Sequence, residues 1–362
     1  MGKLGVAIYP EQSTFEQDAN YLDLAYKYGF TRVFTSLLEI IGDQEEVMAN
    51  FKKTISYANE LGMEVTVDMD PHLFKQLGIS YDNLEFFNDL GATVVRLDLG
   101  FTGAEEAMMT HNKYGLKIEI NMSSGTSYVD NIMSYSPNTD NLLGSHNFYP
   151  MRYSGLSLEH FKKCTEKFKK YNLRALAFVN SQVATSGPWP YQDGLVTLEM
   201  HRNLPIETQV KHLRLLGGID DISIGNAYAS EEELMAVSQA FFALEPQIKI
   251  IEFPNITKFE RSCLFDVIHT YRGDYSDYLL RSSKTRNLFN QTNIPPHDTQ
   301  NTQRGDISLG NNNFGQYCGE IQVTLRELEN NGQVNRIGHI VKEEIFLLDE
   351  IKPWSSFRFI PA

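Results

Sequence analysis

Carboxylates recur at the ends of three successive apolar runs. Glu64-Val65-Thr66-Val67-Asp68-Met69-Asp70, Val95-Arg96-Leu97-Asp98-Leu99 and Lys117-Ile118-Glu119-Ile120-Asn121 each alternate polar and apolar residues. A strand with that period of two sends its polar set to one side. Asp68 with Asp70, Arg96 with Asp98, and Glu119 with Asn121 are therefore expected on a shared face. A single acid at a strand end is commonly solvated or paired, as Asp98 would be if it only answered Arg96. Three on neighbouring strands repel one another in a cleft, which raises at least one pKa. A protonated acid beside an ionised one is what glycoside hydrolysis requires: the first gives a proton to the leaving oxygen, and the second attacks or stabilises the cationic centre or activates water. Asp98 and Glu119 are the leading acid/base candidates. Asp68 and Glu39 stand in reserve, Glu39 arriving from the loop after Arg32-Val33-Phe34-Thr35-Ser36 and Glu11 from the loop after the first strand.

The same acids, with His72 or His146, would also suit a divalent metal, as in a sugar-phosphate isomerase or epimerase. No His-x-x-x-His or comparable spacing supports that reading, so neither a metal nor another cofactor is expected. A third reading is a non-enzymatic carbohydrate-binding protein.

Substrate-binding candidates lie farther along the chain. Ser145-His146-Asn147-Phe148-Tyr149-Pro150 closes a sixth apolar run with Asn147 and Tyr149, polar and aromatic surfaces suited to a sugar. The long segment 185–202 carries Trp189 and Tyr191, which could stack on a sugar face, and Thr197, His201 and Arg202, which would hold a charged substituent such as phosphate. Arg272, Arg281, Arg286 and Arg304 follow near the C-terminus. Their expected role is to close over the site, within one chain or across a homodimer.

These residues need a scaffold that brings strand ends together. Runs beginning near Leu4, Arg32, Met63, Thr93, Leu116, Leu143, Leu173 and Ile222 are each followed by an amphipathic segment, a period near 30 residues that reads as parallel βα units. Capping boxes at Ser13–Glu16 and Ser230–Glu233 start helices, and Gly29, Gly62, Gly91 and Gly217 stop them. Eight units are the number that closes a (β/α)8 TIM barrel, whose active sites lie at the C-terminal strand ends. An open doubly wound sheet is the competitor, but the first βα turn lacks a glycine-rich phosphate loop. After Glu245-Pro246 the rhythm changes to short β-rich runs, at Ile248–Phe253, Phe265–Tyr271, Tyr278–Ser282, Gly305–Leu309, Gly319–Leu325, Ile337–Val341 and Glu344–Leu348. The chain is thus expected to hold a barrel over residues 1–245 and a small β-rich domain over 246–362.

A formal charge of −14 sets the mean field against nucleic acid. No apolar stretch is long enough to span a bilayer. The start of the chain lacks the apolar core and cleavage site of a secretion signal, and Cys164, Cys263 and Cys318 are odd in number and widely spaced, which fits reduced thiols. A cytoplasmic location is expected.

Several motifs, in order, resemble the bacterial 6-phospho-N-acetylmuramidases. They are Gly5-Val6-Ala7-Ile8-Tyr9-Pro10-Glu11, Arg32-Val33-Phe34-Thr35-Ser36-Leu37, Arg96-Leu97-Asp98, His146-Asn147-Phe148-Tyr149-Pro150, Asp193-Gly194 with Thr197-Leu198-Glu199 and His201-Arg202, and Arg304-Gly305-Asp306. The resemblance extends over essentially the whole chain. It implies an N-terminal barrel, a C-terminal cyclophilin-like β domain, and cytoplasmic cleavage of the 6-phosphorylated N-acetylmuramic acid–N-acetylglucosamine disaccharide during cell-wall recycling. It assigns no catalytic residue, so the acids above rest on the strand-end argument alone.

Overall fold

The computed structural model of the chain describes residues 2–37, 44–69, 71–189, 193–289 and 291–362. Eight parallel strands close into a barrel: β1 (Leu4–Ala7), β2 (Phe30–Ser36), β3 (Glu64–Met69), β4 (Val94–Leu97), β5 (Lys117–Asn121), β6 (Leu142–Ser145), β7 (Arg174–Val179) and β8 (Asp221–Ile224). Pairing of β1 with both β2 and β8 seals the ring. The expected starts were accurate to two residues or better, because period-two alternation bounded by turn glycines marks a strand clearly.

Helix signals were less uniform. Ser230 and Glu233 form the expected reciprocal cap at 3.3 Å. The box at Ser13–Glu16 does not form. Thr14 caps the helix Phe15–Lys27 by accepting from the Gln17 amide, and Ser13 instead donates to Asp18 at 2.8 Å. Gly91 ends its helix at φ 89°, a conformation a Cβ would strain. Outward-facing strand residues such as Val65, Val67, Ile118 and Ile120 pack with Phe51, Phe87 and Phe161 of the surrounding helices in a continuous apolar layer.

Inside, the barrel floor is ionic. Arg32 is buried and meets Glu64 at 3.2 Å, Asp221 at 2.9 Å and Glu119 at 2.6 Å. Asp221 also binds Arg174, and Glu64 binds Lys3 and Lys117. Gly5 makes room for this: a Cβ there would lie 3.2 Å from Arg32 Cβ and 2.9 Å from Ser223 Oγ.

Residues 242–362 form a second compact unit, against 1–241 for the barrel. Its strands are β9 (Gln247–Glu252), β10 (His269–Thr270), β11 (Leu279–Ser282), β12 (Asp306–Gly310), β13 (Ile321–Thr324), β14 (Val334–Ile340) and β15 (Ser356–Pro361). They form one sheet in the order β10-β15-β9-β14-β12-β13-β11, antiparallel except for β15 beside β9. Two expected strands fail. Glu344–Leu348 lies in the 3-10 helix Lys342–Asp349, where buried Glu344 accepts from the Lys249 amide at 2.7 Å. Phe265–Tyr271 contains the end of a helix, Lys258–Phe265, and only a two-residue strand. β15, not anticipated, buries Phe357 and Phe359 on alternate positions.

Candidate active site

The strand register explains which polar residues meet. Ser36, Asp68, Arg96 and Glu119 are direct partners across β2 to β5. Barrel strands tilt, so such a row runs obliquely and descends into the barrel. Asp68 and Arg96 therefore stand near the mouth. Glu119 lies deeper, held by Arg32 and only 3.9 Å from Arg96 Nε. Its expected place at the mouth is corrected: its carboxylate belongs to the ionic floor and is 1% exposed.

Arg96 organises what remains. Its buried guanidinium donates to Asp68 Oδ1 at 2.6 Å, to Ser145 Oγ at 2.8 Å and to Asn147 Oδ1, and meets Asp98 Oδ1 at 3.5 Å. Both aspartates thus share one nitrogen, which caps the separation of those two oxygens at about 6 Å, below the ~6.5–9.5 Å of inverting carboxylate pairs. They differ in environment. Burial pushes the Asp68 carboxyl up to about 7; Arg96 opposes the rise, while Asp98 and Glu119 add to it. The Asp98 side chain is about a third exposed (32%). Asn121 donates to the Asp98 carbonyl at 3.1 Å and accepts from the Ser123 amide at 2.7 Å, so it shapes the loop that carries Asp98's neighbours. Ser123 in turn accepts from the Asn147 amide at 2.9 Å.

The opposite side of the mouth is aromatic. Tyr9, Phe34, Phe178 and Leu195 form a small buried cluster, with partly exposed Phe148 and Trp189 packed on it. Phe148 stands edge-on to both Phe34 and Trp189. Tyr149, half-buried, stands instead near Ser123 and Asp98, and burial pushes its phenol up. The mouth therefore sets acids at the ends of β3 and β4 against aromatic surface from the segments after β6 and β7, the pairing of polar groups with apolar faces that a sugar ring presents.

Three expected phosphate ligands are absent from that mouth. Arg202 is buried, and its guanidinium is spent on both Glu199 oxygens, at 2.8 and 2.6 Å, and on the carbonyls of Tyr149, Met151, Asp193 and Gly194. It pins a loop. His201 is fully buried with Nε2 2.7 Å from His212 Nδ1, and burial pushes its pKa well down. Thr197 Oγ1 donates to the Asn147 carbonyl and accepts from the Phe178 amide, both at 2.9 Å. Their spacing imitates a site because a loop that must be anchored uses the same donors. His146, weighed as a metal ligand, is buried between Ser123 and Thr165, with its pKa pushed down to about 3. Arg304 lies in the C-terminal unit and pairs with Asp349 at 2.8 Å. Glu39, Asp70 and Tyr191 lie outside the described residues. Among the described residues, no group of three or more His, Cys, Asp or Glu side chains is arranged to hold a metal ion, and no helix is long and apolar enough to cross a membrane.

Ser145, Ser123 and Arg32 were missed in the sequence. Ser145 was legible as the last inward position of β6; Arg32 belongs to a set of charges opening β2, β3, β5, β7 and β8 that marks the floor.

Comparison with known proteins identifies the family. Residues 4–239 match the family model described as 6-phospho-N-acetylmuramidase, N-terminal, and residues 246–360 match the corresponding C-terminal model. The chain belongs to the 6-phospho-N-acetylmuramidase family. A solved structure of an uncharacterized B. cereus protein is 43% identical, with TM-score 0.91 over 99% of both chains. A conserved Enterococcus faecalis protein of unknown function is 24% identical, with TM-score 0.74 over 99% of this chain and 96% of its own, and shares the fold. No protein of curated function matches. As a 6-phospho-N-acetylmuramidase family member the protein is a glycoside hydrolase.

Proposed function

We propose that the protein hydrolyses the bond between 6-phospho-N-acetylmuramic acid and N-acetylglucosamine, in the cytoplasm, as a step of cell-wall recycling. Asp68 is the proton donor to the leaving oxygen and Asp98 the carboxylate that faces the anomeric carbon. Arg96, fixed by Ser145 and Asn147, positions both; Phe148, Tyr149 and Trp189 offer the sugar an apolar face. The observation that carries this reading is the sharing of Arg96 by two aspartates of unequal burial. Their closeness supports retention of configuration, by direct attack of Asp98 or by attack of the substrate's own acetamido oxygen with Asp98 orienting it. The C-terminal unit is read as the family's cyclophilin-like domain, a shape that brings no isomerase chemistry with it.

The deciding experiment follows the phosphorylated disaccharide by proton NMR with wild type, Asp68→Asn and Asp98→Asn. Each substitution is expected to lower kcat at least ~100-fold, and the first-formed anomer should retain configuration. An inverted first product, or an Asp98→Asn protein as active as wild type, overturns the assignment. Activity should persist in EDTA; complete loss restored by added metal would return the isomerase-type reading.

A further inference from the structure

The C-terminal sheet carries a second constellation that the barrel chemistry leaves unused. On β13, Glu320 just before the strand, Gln322 and Thr324 alternate onto one face, and Gln322 lies between Arg281 of β11 and Ser308 of β12 in the register. Glu320 is fully buried and takes Arg281 in a two-point contact at 2.7 and 3.0 Å. Arg286 meets the same carboxylate at 3.5 Å, and the Arg281 and Arg286 guanidiniums both lie over the Tyr317 ring, at 5.4 and 5.3 Å. Arg272 joins them through Ser283, which itself donates to Glu320. Three guanidiniums here answer two carboxylates, Glu320 and Asp274, in a chain of net charge −14. Although burial alone would raise it, the Glu320 carboxyl is held below its usual range by Arg281, Gln322 and Arg286. The arginines are 22 to 30% exposed, so solvent reaches the positive end.

A cleft of about 190 Å³ runs along the same sheet face, lined by Leu279, Thr302, Ser308, Phe314, Gln322 and Thr324. It offers hydroxyl and amide groups beside one aromatic ring, with the exposed Glu329 carboxylate on its rim, and Phe314 contacts Tyr317 at 5.3 Å, joining the cleft to the arginines. Thr324 Oγ1 is buried and has no hydrogen-bond partner among the described residues, a group whose burial is costly until something supplies one.

We infer that this face is a binding site for an acidic sugar: a ring with hydroxyl or acetamido groups in the cleft, and a phosphomonoester or carboxylate against Arg281 and Arg286. Planar guanidiniums suit either acid group, and the volume admits about one sugar ring. The choice of sugars rests on the hydrolase reading, but the test measures binding and not turnover, so each can fail alone.

The test uses the full chain with its arginine Nε–Hε NMR signals assigned through Arg281→Lys and Arg286→Gln. N-acetylglucosamine 6-phosphate, N-acetylmuramic acid and unmodified N-acetylglucosamine are titrated separately, with inorganic phosphate as a fourth probe. The acidic sugars are expected to shift the Arg281 and Arg286 signals saturably, at least ~10-fold more tightly than the neutral sugar, with ~10-fold weakening in Arg286→Gln and ~3-fold in Thr324→Val. Response to the phosphorylated sugar alone assigns the phosphomonoester; response to N-acetylmuramic acid alone assigns the carboxylate; either supports the site. Signals that do not move, equal binding of the neutral sugar, binding of inorganic phosphate as tight as that of the sugars, or unchanged affinity in Arg286→Gln with its fold intact each overturns it.

Discussion

Replacing Arg202 by alanine should break the barrel's fold before it breaks its recognition of phosphate. The guanidinium is 3% exposed, and all of its donors are engaged within the chain. Truncation leaves Glu199 without its cation and four backbone carbonyls without their donor. Removing one partner of a buried pair costs about 3–5 kcal/mol, and for a unit of this size about 2–4 °C of Tm accompanies each kcal/mol, so a loss of roughly 6–20 °C is expected. Glu199 adds a pH signature. Its carboxyl is pulled down from 4.5 to about 2, chiefly by Arg202. A depressed acid stabilises the fold above its unfolded pKa and loses that contribution as pH falls through the folded value. The gap between wild type and variant should accordingly be full at pH 7 and shrink between 4.5 and about 2. Calorimetric melting at several pH values measures it, alongside kcat/KM on phosphorylated and unphosphorylated disaccharides. A Tm within 2 °C of wild type, with a ~100-fold loss confined to the phosphorylated substrate, would refute the structural role and restore Arg202 as a phosphate ligand.

Three further outcomes are expected. With the Asp68 carboxyl raised to about 7, its protonated form disappears as pH rises through that value, so kcat/KM should fall on the alkaline side; a substrate whose leaving group needs no proton should flatten that limb, and a disaccharide profile level to pH 9 sinks Asp68 as the donor. Glu119→Gln removes one of three carboxylates around Arg32, so denaturant unfolding should show a loss of about 1–3 kcal/mol with kcat/KM reduced less than ~10-fold; a thousandfold drop at unchanged stability would put Glu119 back in the chemistry. Thr35 is buried and its hydroxyl has no hydrogen-bond partner among the described residues, and Thr35→Val should gain about 1 kcal/mol, seen as a Tm about 2–4 °C higher.

The barrel was legible because its signals are local. Alternation in Glu64–Asp70 or Lys117–Asn121 is written in consecutive residues, and the reciprocal cap at Ser230 and Glu233 needs no knowledge of the rest of the chain. What failed depended on depth. Asp68, Asp98 and Glu119 occupy similar places on their strands, yet tilt puts Glu119 beside Arg32 and leaves Asp68 with Arg96. Arg202 failed for a related reason: besides Glu199, its partners are backbone carbonyls of Tyr149, Met151, Asp193 and Gly194, and a carbonyl leaves no trace in residue type. In the second unit, Glu344–Leu348 has an apolar content that fits either a strand or a tight helix, and the bond from the Lys249 amide to Glu344 in the helical form is a contact between residues far apart in sequence.

The buried arginines carry the clearest physical lesson about this site. Arg32 and Arg96 stand within the same barrel, each touching Glu119, but one is surrounded by carboxylates and the other shares its donors with Ser145 and Asn147. Each guanidinium meets three carboxylates, but those around Arg32 are all held in the barrel floor, whereas those around Arg96 run from the buried Glu119 and Asp68 to Asp98, which is about a third exposed (32%). Asp68, sealed in, holds a proton near neutral pH, while Asp98 faces solvent. In the proposed mechanism, that unequal burial around one fixed cation is what assigns proton donation to Asp68 and the facing carboxylate to Asp98.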